Sequence, residues 1–225
     1  MAKTKGKSST VSKKTPAVSA DPYDRLQQKV QARKGSNKYY KFGEGKHVLR
    51  IFGFTHDGET EYSVEDVSHY VKDANRFIPC GDNCVICEYR EEQIDLVKKA
   101  LQPSTKYLFN AVVRGQGSEE DQQVIVQLPI SVVNGTKKDP DNCIMATAKQ
   151  FNAFDQAKGR DYTIIRTGLD IDTRYKVTPD AKSTPIGMKV KPVDLIALQA
   201  KNRAPLDAGE SEVVLKTLKK KYERT

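Results

Sequence analysis

The sequence predicts a mainly β protein with helical additions, its strands closing on themselves as a small antiparallel barrel. The barrel carries a Cys-rich subdomain and is flanked by basic flexible tails. Three observations predict this: many short strand patterns separated by turn residues, three Cys within eight positions, and Lys-rich low-complexity ends. Element by element, residues 1–20 are Lys/Ser/Thr-rich, have almost nothing apolar to bury and are expected to be disordered. Asp21-Pro22 reads as an N-cap followed by Pro at the first helical position, opening a helix to about Lys34 that Gly35-Ser36-Asn37 ends. Lys38 to Phe54 reads as strand, turn, strand around Gly43-Glu44-Gly45, followed by an extended stretch from about Glu61 to Val71 and a short strand at Arg76-Phe77-Ile78. Val85 to Leu101 is expected to be one helix, because Ile86, Tyr89, Ile94, Val97 and Leu101 recur at helical spacing. Strands Lys106–Arg114 and Gln122–Leu128 form a hairpin pattern, and Cys143–Ala157 reads as a second helix. Tyr162–Arg166 and Thr173–Val177 form a last strand pair. Beyond Pro179 the pattern loosens, with short helices at Pro192–Ala200 and Glu210–Lys221. The element count suits the OB type of barrel. The expected division is a basic arm at 1–20, a core at 21–178 with a subdomain at about 66–101, and an extended or helical segment at 179–225.

The 225 residues are 37% hydrophobic and lack Trp, which fits one modest core. No stretch approaches the ~18 consecutive apolar residues of a membrane span, and no secretory signal follows Met1, so a cytoplasmic protein without membrane contact is expected. In a reducing compartment, Cys residues point to metal or free thiol before disulfide. The net charge is +9, and the two tails account for all of it. Inside the domain, charge is segregated. Eight bases and one acid lie between Arg25 and Arg50, and the next stretch holds Asp57, Glu59, Glu61, Glu65 and Asp66 with no base among them. Such segregation sets a positive groove beside a negative flank.

The sharpest motif is His69, Cys80, Cys84 and Cys87. Structural zinc takes four N/S ligands, and a Cys-x-x-Cys turn brings two thiolates to one ion. Cys84-Val85-Ile86-Cys87 supplies that turn at a helix start, where thiolate is favoured. Gly81 and Asn83 permit the tight backbone behind it. His47 or His56 could replace His69, and Cys143 reads as a helix-face residue. The site reads as one structural zinc ion. A deaminase-type centre would need a His-x-Glu, and His69-Tyr70-Val71 provides no such Glu. No catalytic residue is assigned, and the chain is read as a binding protein rather than an enzyme.

Single-strand binding pairs phosphate-neutralising cations with aromatic faces for stacking bases. Three stretches interleave the two: Lys38, Tyr39, Tyr40, Lys41, Phe42, Lys46 and Arg50; Lys106, Tyr107, Phe109 and Arg114; Arg174, Tyr175 and Lys176. Any of these aromatics could equally be core.

The run from Tyr39 to Ile51, with its Gly-x-Gly-Lys-x-x-x-Arg context, then His69, Cys80 and Cys84-Val85-Ile86-Cys87-Glu88-Tyr89, resembles the helix-destabilising single-stranded DNA-binding proteins of T-even and related phages. The likeness runs from about Lys38 to Thr178. It implies an OB core with a zinc subdomain of one His and three Cys. It also implies coating of single-stranded DNA in phage replication, recombination or repair. By the same likeness the basic arm would mediate self-association along DNA, and phage replication proteins would be partners. Family members typically end in an acidic tail, whereas this sequence runs out in Lys216–Arg224. Rival readings from the residues are an RNA- or duplex-binding module, a metal-dependent nucleic-acid-processing enzyme, and a scaffold that binds acidic proteins through its tails.

Overall fold

The computed structural model describes residues 39–71, 76–115, 119–169, 172–202 and 206–223. The expected arm, the expected helix at 22–34 and Lys38 lie outside the described residues. Strands β1 (Tyr39–Tyr40), β2 (Gly45–Phe52), β7 (Ser104–Val113), β8 (Gln122–Pro129), β9 (Arg160–Thr167) and β10 (Arg174–Ser183) form a continuous sheet in the order β1-β8-β7-β2-β9-β10. β5 (Val64–Val71) joins β7 through its first half and β6 (Arg76–Pro79) through its second. A separate hairpin pairs β3 (Phe54–His56) with β4 (Glu59–Glu61). Its two-residue turn, Asp57 and Gly58, has both φ values positive, which is the demand that an Asp-Gly turn meets.

β2 positions the rest. Gly45 to Leu49 ladder with β9, and Leu49 to Phe52 ladder with β7, so Leu49 pairs with Tyr162 on one side and Val113 on the other. This hand-off curls the sheet. The curl stops short of a closed barrel, because β1 and β10 end the ladder, and β1 joins β8 in parallel. The expected closed antiparallel barrel is therefore corrected to an open, mixed sheet. The physical reason lies in the two short helices α3 (Ile130–Asn134) and α4 (Ile144–Ala148). Their Val132, Val133, Ile144 and Ala148 occupy the same core as Val126 and Leu128 of β8 and Val177 of β10. A closing ladder would need that space.

The helix expected over residues 143–157 is only α4. The chain after it turns around the Arg50 guanidinium, which donates to the carbonyls of Asp155 (3.3 Å) and Gln156 (3.4 Å). Asn152 adopts φ +48°, and a Cβ at Gly159 would meet the Asp155 carbonyl at 2.5 Å. The helix expected over 85–101 is likewise two, α1 (Val85–Glu91) and α2 (Asp95–Ala100). The chain restarts at an extended Ile94, which stands 70% exposed instead of on the apolar face.

β10 runs past Pro179, with a register shift between Pro179 and Ser183, on the sheet edge where Pro is tolerated. Beyond it the chain forms a strap. The carbonyls of Thr184 and Pro185 accept from Arg114, Gln123 exchanges bonds with Lys191, and the buried Asn110 amide exchanges two with the backbone of Val193. Asp194 then caps α5 (Leu195–Asn202) through the amides of Ile196 and Ala197, and Leu195 is buried with Phe54, Val64, Leu108 and Ile125. Finally α6 (Ala208–Tyr222) starts on a capping box of Asp207 and Glu210. It sets Val214 and Leu218 against Val71, Ile78, Ile86, Tyr89, Val97 and Leu101. Among the described residues no helix is long and apolar enough to cross a membrane.

Arg50 is fully buried and its Nε lies 2.8 Å from Asp161, which Arg114 also grips at 2.9 Å. Asp161→Ala should therefore lower the unfolding free energy in urea by about 3–5 kcal/mol, the usual cost of stranding a buried charge. Replacing Arg50 and Asp161 together by apolar residues should cost less than the sum of the single changes. A second test concerns His56, whose Nδ1 lies 2.8 Å from Asp194. The hydrogen bond to Asp194, with Asp57 and Glu61 nearby, raises the His56 pKa. Its contribution should be fully present below about pH 6.5. It should fade as pH rises through the elevated folded-state value. The melting-temperature gap between wild type and His56→Gln should accordingly close on going from pH 6 to pH 9.

Candidate metal centre and nucleic-acid surface

His69, Cys80, Cys84 and Cys87 meet at one point, with all four ligand atoms within 4.8 Å of one another. β5 and β6 bring His69 and Cys80 together: His69 is paired with Ile78, and the Cys80 amide closes on the Val67 carbonyl at 2.9 Å. Asn83, at φ +55°, reverses the chain between Cys80 and Cys84. Cys84 sits at the N-cap of α1, and Cys87 lies inside the first turn. The spacings are 3.5 Å between the sulfurs of Cys80 and Cys87 and 3.3 Å between Cys87 Sγ and His69 Nε2. Metal–ligand bonds of about 2.0–2.3 Å in a tetrahedron require ligand atoms roughly 3.3–3.8 Å apart, so the donor set fits zinc.

Two further features fit a cation. His69 is fully buried, and its Nδ1–H donates to the Leu101 carbonyl at 2.7 Å, which turns Nε2 toward the thiols. Leu101 is the C-cap of α2, so the end of that helix delivers the carbonyl. The thiols are also electrostatically frustrated without a cation. Burial acts to raise the Cys84 pKa, but the His69 hydrogen bond and the amides of Cys87 and Ile86 outweigh it and bring the group down to about 6. Burial, the hydrogen bond to Cys87 and the Cys84 charge push Cys80 up to about 12, and burial also raises Cys87. One thiolate opposes the next, and a divalent ion removes that opposition. Cys143 lies elsewhere, buried at the N-cap of α4 and donating to the Pro140 carbonyl. His47 and His56 are engaged by Tyr40 and Asp194.

The residues expected to touch DNA divide into three groups. Arg50 and Phe109 are core, Arg50 as the buried partner of Asp161 and Phe109 at 1% exposure in the main cluster. Arg114 is spent on Asp161, Asp121 and the strap. These three are corrected to structural residues, because Arg50 and Phe109 are buried and the Arg114 guanidinium is held by internal partners. Tyr39, Tyr40, Phe42, Tyr107 and Tyr175 are half-buried, each packed against a core cluster. Tyr40 donates to His47 Nδ1 at 2.7 Å and meets Phe42 edge-on at 5.1 Å. Lys41, Lys46, Arg174 and Lys176 are exposed. The register sets Lys46 and Lys176 on either side of Ile165, so both project from one face of three adjacent strands. Lys106 is half-buried, its ammonium 4.4 Å from the centre of the Phe77 ring, and burial lowers its pKa. Phe77 and its cross-strand neighbour Tyr70 are exposed aromatics that the sequence reading passed over. The available signal was alternation: Tyr70 lies between the inward-facing His69 and Val71.

Residues 43–207 match a family model described as gp32 DNA binding protein like. No curated protein matches the chain.

Cys87→Ser should abolish stoichiometric metal binding in elemental analysis. A metal at a thousand times its Kd stabilises by about 4 kcal/mol, which in a domain of this size amounts to roughly 8–16 °C of melting temperature. Wild type treated with a strong chelator should lose a similar amount.

Proposed function

The chain belongs to the gp32-like DNA-binding protein family, and from that premise we propose that it binds and coats single-stranded DNA with little sequence preference. One match that spans the four-ligand cluster and the sheet from β2 onward carries the reading. The surface chemistry supports it. Of the cations expected to touch DNA, Lys41, Lys46, Arg174 and Lys176 are exposed, in segments that also hold half-buried Tyr40, Phe42 and Tyr175. On this reading backbone contacts and stacking supply the affinity.

The cluster holds one structural zinc ion through His69 Nε2 and the sulfurs of Cys80, Cys84 and Cys87. When bound, zinc cross-links the β5–β6 hairpin to α1. The four residues would fill a tetrahedral ion's coordination, which is the pattern of a structural rather than a hydrolytic site. The protein's own residues do the rest: Leu101 orients His69, and the α1 amides hold the Cys84 thiolate. The biological setting proposed is phage DNA replication, recombination or repair in the host cytoplasm. Residues 1–20 would provide self-association along the strand, and phage replication proteins would be further partners.

Fluorescence anisotropy of a labelled oligo-dT, with duplex and RNA competitors, tests the reading. Neutralising about four phosphates gives a log–log salt slope near −3 for a single strand, or roughly 50-fold weaker binding between 50 and 200 mM salt. Single strands should compete and duplex should not. Salt-insensitive binding, or a preference for duplex, would overturn the reading, and a preference for RNA would move the substrate class.

A further inference from the structure

The β5–β6 hairpin has two faces. On one, His69 and Ile78 pair and, with Val71, look into the metal-bearing core. On the other, Tyr70 and Phe77 stand directly opposite each other, 43% and 47% exposed. Their ring centroids are 5.0 Å apart with planes inclined at 41°. The pairing of β5 with β7 ends at Ser68 and Ser104, so the aromatic pair projects past the end of β7. Asp66 and Lys106 are register partners on this same face, and the Lys106 ammonium is drawn over the Phe77 ring. Asp66 accepts from the Gln127 amide at 2.7 Å. Two large rings left nearly half exposed beside a cation form an apolar patch on a hairpin whose other face fills the core.

We propose that Tyr70, Phe77 and Lys106 form a base-stacking subsite, in which a base of a single strand lies on the exposed rings and its phosphate faces the Lys106 ammonium. The proposal rests on the single-strand reading above. Stacking needs only a π face on the base, so the subsite is tolerant of sequence. Its rings are held by the same hairpin that carries His69, so metal loss disturbs the platform from behind.

The chain has no Trp, so Phe77→Trp introduces a single reporter at the subsite. Oligo-dT should quench the indole emission of this variant in the metal-loaded, full-length protein. Tyr70→Ala and Phe77→Leu should weaken oligo-dT binding by roughly 5- to 150-fold each, with metal content retained. Phe77→Leu keeps an apolar side chain on the hairpin but removes the ring, which separates stacking from packing, and Phe77→Tyr should bind as wild type does. If wild type binds oligo-dT while Tyr70→Ala and Phe77→Leu bind equally well and the indole emission of Phe77→Trp stays unchanged, the subsite is overturned and the single-strand reading stands. If binding falls only in variants that lose metal or melt early, the pair serves hairpin stability and the proposal fails. If wild type itself does not bind single strands, both readings fall.

Discussion

A guanidinium taken fully out of water must recover its hydration from fixed partners, and Arg50 does so at the centre of the sheet. Its Nε faces Asp161 on β9, its terminal nitrogens reach the carbonyls of Asp155, Gln156 and Thr184, and Arg114 next to β7 shares the same carboxylate. Burial pulls the Arg50 pKa down while Asp161 opposes that pull. Three strands, the loop after α4 and the start of the strap are thus bound to one buried charge. An apolar residue at position 50 would pack as well, yet it would not dictate where the 155–156 loop and the strap must pass. The ion pair serves geometry as much as stability.

The second organising constraint is the cluster of His69, Cys80, Cys84 and Cys87, which acts on a smaller body of structure. α1 and α2 are too short to hold themselves in water. They are kept by Cys84 and Cys87 at one end, by the Leu101 carbonyl on His69 at the other, and by the apolar cluster beneath. The opposite face of the same hairpin is then free to be used for something else. Local order on one side and exposed aromatic rings on the other are two properties of a single four-residue pairing, Ser68 to Val71 against Arg76 to Pro79.

Much of this was legible in the residues, and what was missed has identifiable causes. The ligand set could be read because coordination chemistry restricts residue type and spacing, and the structure brings together the four residues that pattern names. Strand positions were legible through alternation. Helix lengths were not: the apolar spacing of Val85–Leu101 continues across a break at Glu92–Ile94, where Ile94 is extended and exposed. Asp57-Gly58 carried a hairpin signal in plain view that the reading of 61–71 as an extended stretch overlooked. Arg50 and Arg114 looked like phosphate contacts because the sequence shows charge without showing partners. Their carboxylate, Asp161, is more than a hundred residues from Arg50 in the chain. Sheet closure failed as an expectation for a similar reason, since α3 was not anticipated, and with α4 it packs into the core that β8 and β10 share.

One feature of the far end bears on the order in which the molecule can assemble. The match to the family model stops at 207, yet Val214 and Leu218 of α6 complete the cluster beneath the metal ligands. A ribosome adding about 5–20 residues per second exposes His69 and the cysteines many seconds before α6 exists. During that interval the thiols are available to a metal while the apolar side of Ile86, Tyr89 and Val97 remains uncovered. The nascent subdomain is thus chemically complete before it is hydrophobically complete. Its completion is the docking of a helix that is made more than a hundred residues after the site it covers. In such a chain a metal captured early would do more than stabilise the finished protein: it would shelter an unfinished one.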